Sequence, residues 1–135
     1  MNIELTSKEY RLLLDMVYIG NWILNSTRTD DRIEDYDLLQ EKLVAKGPAN
    51  GMRSLVESWQ GHIFPSRAYE DGGIHEAIAD YEDAVFYDIL AEELARRDMS
   101  AEQISQDDAE ELNARMEEYF AEFEKHGIEN VKVEA

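Results

Sequence analysis

Cysteine is absent from the 135 residues, which removes disulfides, thiolate metal sites and a thiol nucleophile at one stroke. Proline is scarce: Pro48 and Pro65 are the two in the chain, so little interrupts helix formation. Long apolar runs are missing. The most apolar stretch, Leu12 to Leu24, is interrupted by Asp15, Gly20 and Asn21 and falls short of the ~20 residues that span a bilayer. The opening Met1-Asn2-Ile3-Glu4 lacks the basic start and apolar run of a signal peptide. These absences lead to the expectation of a soluble protein of a reducing cytoplasm, and the length suits a single domain spanning residues 1–135.

Positive charge is the other shortage. There are 13 basic residues against 31 acidic ones, a net charge of −18. Residues 1–72 carry 12 acids and 8 bases, net −4, whereas residues 73–135 carry 19 and 5, net −14. A field of that sign repels phosphate backbones and anionic lipid, so neither nucleic acid nor membrane is an expected partner. A basic protein surface is compatible with it.

What is present is helical periodicity. Thr6 and Glu9 have the spacing of a capping box, which predicts a first helix over Ser7 to Asn25. On a 100° wheel Tyr10, Leu13, Leu14, Val17 and Leu24 share one side. Leu12, Met16, Ile19 and Ile23 share a second, in the 4-3-4 spacing of a packing seam. Tyr18 and Trp22 fall on the polar strip with Lys8, Arg11 and Asp15. A second helix is expected over residues 32–46, capped by Asp30 or Asp31, with Ile33, Tyr36, Leu39, Leu43 and Val44 inward and Gly47-Pro48 as its stop. Met52, Leu55, Val56 and Trp59 are in helical phase and predict a short third helix from Gly51 to Gln60, with a strand at Leu55–Trp59 as the alternative. Residues 61–73 read as a loop. A fourth helix over Ile74 to Arg97 changes face midway, from Ile74, Ile78, Tyr81 and Val85 to Phe86, Leu90 and Leu94. Ser100 and Gln103 suggest a further capped turn at 101–104. A last helix follows from Asp107 to Lys125, with Ala109, Leu112, Met116, Tyr119, Phe120 and Phe123 on one face and Gly127 closing it. Residues 2–5 and 130–134 alternate polar and apolar, as paired strands do. The expected fold is mostly α: a compact antiparallel bundle of about five helices, with a small two-stranded ribbon joining the termini.

Reactive constellations are sparse. Phosphate-binding glycine motifs and a serine nucleophile elbow are absent. His75-Glu76 starts like a zinc helix, but Ala79 occupies the place of the second imidazole. Asp88, Glu92 and Arg96 have the spacing of an exposed ion-pair ladder. No metal site and no cofactor are expected. The carboxylate pairs Glu34/Asp37 and Asp80/Asp83 leave open a magnesium-dependent hydrolase, which requires all four to converge. The rigid acidity of residues 73–135 suits a decoy or inhibitor that occupies a basic, nucleic-acid-binding surface. The favoured expectation is a non-enzymatic interaction or assembly protein. In it two copies pair through Leu12, Met16, Ile19 and Ile23, with Tyr18 and Trp22 at the rim and Arg11 and Asp15 pairing reciprocally across the axis, the alternative being that the fourth and fifth helices cover both sides of the first within one chain.

Overall fold

Helix α1 (Ser7–Asn25) begins where its capping box requires: Thr6 Oγ1 accepts the Glu9 N–H at 3.1 Å and Glu9 Oε1 accepts the Thr6 N–H at 3.0 Å. In this computed structural model, which describes residues 1–99 and 108–134, the chain is mostly helical with one small antiparallel ribbon. It divides into two compact units, Met1–Ile78 and Ala79–Ala135. No helix among the described residues is long and apolar enough to cross a membrane.

In the first unit α1 packs antiparallel to α2 (Glu34–Val44). Tyr10, early in α1, donates its hydroxyl hydrogen to Leu43 O at 2.6 Å, while Asn21, late in α1, donates to Asp37 and Gln40. The buried face of α1 is Tyr10, Leu14, Tyr18, Asn21 and Asn25, centred roughly 50° from the apolar side seen in the sequence. Burial of that face is possible because its polar atoms are paired. The fully buried Asn25 does most of this, donating to Asn21 Oδ1 at 2.7 Å and Ile33 O at 3.0 Å. Its Oδ1 accepts the Ile33 N–H at 2.8 Å. Asn25 thereby satisfies the entry to α2, for which the sequence suggested Asp30 or Asp31. Asp31 instead accepts from Thr29 and pairs with Arg28.

The expected inner stripe of α2 is only half right. Val44 is buried and Leu43 packs on the core, but Tyr36 and Leu39 face outward. The side toward α1 carries Asp37 and Gln40 instead. Gly47 is not a left-handed cap, since its φ is −59°. Close approach requires it: a Cβ there would stand 2.8 Å from Val56 Cγ2 and 3.2 Å from Val44 O.

The predicted third helix does not form. After two short 3₁₀ turns, Pro48–Asn50 and Arg53–Leu55, the chain makes strand β1 (Val56–Trp59) and strand β2 (His62–Pro65), paired from Val56↔Pro65 to Trp59↔His62. The reason is the turn. Gln60 and Gly61 both take positive φ, 48° and 78°, the two-residue geometry whose twist matches a hairpin. Met52, Leu55 and Val56 still reach the core, whereas Trp59 is 66 % exposed rather than internal. The ribbon of this fold is therefore this hairpin. Residues 2–5 and 131–134, expected as paired strands, form no strands.

The stretch 61–73, expected to be a loop, instead contains β2 and, after Ser66, a helical turn. The buried Ser66 Oγ donates to Ser54 O at 2.6 Å and accepts the Tyr69 N–H at 3.1 Å, capping the turn α3 (Arg67–Tyr69). A wider turn, Glu70–Ile74, with Gly73 at φ 111°, leads into α4 (His75–Asp98). Tyr69, Ile74 and Ile78 complete the core around Tyr10, Leu14, Tyr18 and Val44.

The second unit comprises the rest of α4 and α5 (Ala109–His126), which run antiparallel: Tyr87 meets Phe123 with ring centroids 5.5 Å apart, and Arg97 and Asp98 meet Tyr119. Ala91, Ala95, Leu112 and Phe123 are buried. Tyr81 and Phe86, expected inward, are exposed. Glu92 and Arg96 form the predicted ion pair at 2.8 Å. Gly127 takes φ 57° where α5 ends, and its N–H donates to Phe123 O at 2.8 Å. The capped turn at Ser100 and Gln103 lies outside the described residues.

Asn25→Ala tests the polar joint of the first unit. It removes three hydrogen bonds and leaves Asn21 and Ile33 atoms unpaired, at a cost of about 2–4 kcal/mol. Urea unfolding followed by tryptophan fluorescence reads this directly, because Trp22 and Trp59 both lie in that unit. A midpoint equal to wild type would refute it.

Candidate interaction surface

The sequence singled out six positions on α1, and the structure separates them into two sets. Leu12, Met16 and Ile23 are 53 %, 72 % and 62 % exposed. They lie roughly opposite the buried face on the helix wheel. Nothing in the first unit covers them. Ile19, in the same stripe by spacing, packs partly against the core. Tyr18 is a core residue rather than a rim residue, and Trp22 packs against that core.

Their position follows from a shared partner. Tyr18 OH and His75 Nε2 are hydrogen-bonded at 2.7 Å, and the His75 ring stands edge-on to Trp22 at 4.9 Å. Tyr18 also meets Trp22 at 6.3 Å and Tyr69 at 5.3 Å. A periodicity reading scores Tyr18 with the charged strip because it cannot see that the strip is answered from α3 and α4. The same applies to Arg11 and Asp15. They pair with one another, Asp15 accepts the Tyr69 hydroxyl hydrogen at 2.8 Å, and Arg11 lies over the Tyr69 ring at 4.8 Å. Arg11 and Asp15, expected to pair reciprocally across a dimer axis, thus have partners within the chain. Burial, and then the Asp15 carboxylate, hold the Tyr69 phenol well above its ordinary range.

Beside the α1–α2 joint runs a polar cleft of about 390 Å³, lined by Arg32, Asp37, Glu41, His62 and Phe64 among others. Arg32 grips Asp37 through two hydrogen bonds, at 2.6 and 2.8 Å, and Asn21 adds a third at 3.0 Å. The guanidinium is the main cause that holds the Asp37 carboxyl below its usual range. Glu41 is likewise lowered, chiefly by the Ile63 N–H it accepts at 2.9 Å and then by His62. These acids are occupied in holding α2 to its neighbours.

The magnesium reading finds no geometric support. Among the described residues no three histidine or carboxylate side chains gather to hold a metal ion. Asp37, one of the four acids it needs, is committed to Arg32 and Asn21. The signal that could have located the Arg32–Asp37–Asn21 cluster was the polar residues on the facing sides of two adjacent helices.

Because Asp37 is ionised more readily in the folded chain than in the unfolded one, its contribution is complete above pH ~4 and is lost as the pH falls through its folded value. Asp37→Asn should lower stability at pH 7 by about 1 kcal/mol, modest because solvent reaches the pair. It should also shrink the loss of stability on acidification. Urea midpoints at pH 7 and pH 3 check both, and a variant as acid-sensitive as wild type would contradict the assignment. Set against known protein families, curated proteins and solved structures, the chain matches none of them.

Proposed function

We propose that the protein is a non-enzymatic assembly protein that pairs with a second copy of itself through the outward face of α1. The observation that carries this reading is the exposed strip of Leu12, Met16 and Ile23 opposite a well-packed core. An apolar strip of that kind on a soluble chain is usually covered. Its 4-3-4 spacing, with Ile19 completing the row, is the register in which two helices interleave side chains at a shallow angle.

Charge favours a second copy meeting there. Two chains of net −18 repel, but residues 1–72 contribute only −4 of that. A seam on α1 therefore draws on the stretch of each chain that carries the smaller share of its negative charge. The acidity of residues 73–135 is the basis on which capture of a basic protein would stand as a second role.

Met16 and Ile23 make a cleaner test than Ile19, whose contact with the core confounds any substitution there. At tens of micromolar, sedimentation equilibrium should return twice the monomer mass. Met16→Asp should weaken pairing by at least about a hundredfold, since a carboxylate in an apolar interface costs several kcal/mol. Its monomer should retain the wild-type circular dichroism, because Met16 is exposed. A monomeric wild type defeats the proposal, and a dimer indifferent to Met16→Asp moves the interface elsewhere.

A further inference from the structure

A second cavity, of about 350 Å³, lies where the C-terminal half of α1 meets β2 and the Glu70–Ile74 turn. Three aromatic side chains from two elements line it: Tyr18 and Trp22 from α1 and Phe64 from β2. Two of the rings are fixed in advance. Trp22 stacks on Tyr18 at an interplanar angle of 22°, and His75 braces both edge-on at 80° and 85°. Rings held this way lose little freedom when a ligand arrives.

The charges in the cavity are unequal in their commitments. Arg32 lines it but is held by Asp37 through two hydrogen bonds. Glu70 lines it too, and its side chain makes no hydrogen bond or ion pair among the described residues. Its charge is nonetheless close enough to the Tyr18 phenol to help, after burial, to keep that proton on. A cavity lined by three aromatic rings and a carboxylate without an ion-pair partner favours cations over anions. The Asn21 and Gln40 amides in its lining make a purely apolar occupant a poor fit.

We infer that this cavity takes an organic cation, an alkylammonium or guanidinium group, seated among Tyr18, Trp22 and Phe64 with Glu70 as its counter-ion. The inference is independent of pairing through α1, because Leu12, Met16 and Ile23 do not line the cavity. The cation belongs either to a free small amine or to a basic side chain of another protein, and the two share the same recognition chemistry.

Trp59→Phe leaves Trp22 as the lone tryptophan, excited selectively over the tyrosines, and Trp59 is outside the cavity lining. In that background, agmatine and tetramethylammonium at constant ionic strength should produce a saturable change in Trp22 emission. Butylurea, a neutral counterpart of the alkylguanidinium, should produce none. Glu70→Gln should weaken agmatine binding at least fivefold while leaving the circular dichroism unchanged, since the residue is exposed. A hexa-arginine peptide separates the sources: Glu70-dependent binding much tighter than agmatine assigns the cation to a protein partner, and equal affinity assigns it to a free amine. A response that never saturates and is matched by potassium chloride would overturn the inference. So would agmatine or peptide binding that ignores Glu70→Gln.

Discussion

A carboxamide with no access to solvent, that of Asn25, sits where α1 ends and α2 is about to begin. Burying it unpaired would be costly, so its partners are obligatory: Asn21 within the helix and both backbone groups of Ile33 beyond the loop. That requirement fixes the rotation of α1. Once Asn21 and Asn25 face inward, Tyr10, Leu14 and Tyr18 must do so too, and Asn21 is delivered to Asp37 and Gln40 on α2. The hydroxyls of Tyr10, Tyr18 and Tyr69 then find Leu43 O, His75 and Asp15. The first unit is held by apolar contact whose register is set by hydrogen bonds.

The same requirement decides which parts of the fold could be read in the sequence. The capping box of α1 and the apolar periodicity of α1, α2, α4 and α5 locate those helices, because such signals are local. Rotation about each helix axis was less legible. Apolar residues outnumber the space on one face of α1, and the tie is broken by amides and phenols whose partners lie far along the chain. On α2 the same effect turns Tyr36 and Leu39 outward and Asp37 inward. Of the hairpin only the first strand was legible, as the alternative at Leu55–Trp59, since Met52, Leu55, Val56 and Trp59 fit a helix by spacing, and β2 fell in the stretch read as a loop. The positive φ of Gln60, which makes the turn, is unusual for a residue with a side chain. Of the candidate site, the exposed row Leu12, Met16 and Ile23 was legible from the 4-3-4 spacing. The cavity was not, because Tyr18, Trp22, Phe64 and Glu70 converge from separate segments.

Rotating α1 to satisfy Asn25 has a functional consequence. It places the apolar seam on the side away from the core, where the unit has no residues of its own to cover it. On the proposed reading chain charge would then discriminate among partners, disfavouring phosphate-rich surfaces and letting a copy of the same chain approach with least penalty along residues 1–72. Self-pairing through α1 joins these two facts without asking any residue to perform chemistry.

The absence of cysteine permits one spin label to be placed without background. Gly20 flanks the seam, and a side chain there meets nothing within 4 Å, so Gly20→Cys carries a nitroxide with little disturbance. Paired α1 helices lie about 8–10 Å apart, which puts the two labels within about 30 Å of each other. Pulsed dipolar spectroscopy on singly labelled protein should therefore give a defined intermolecular distance in that range, abolished by Met16→Asp. A decay with no dipolar modulation at tens of micromolar would contradict pairing through the outward face of α1.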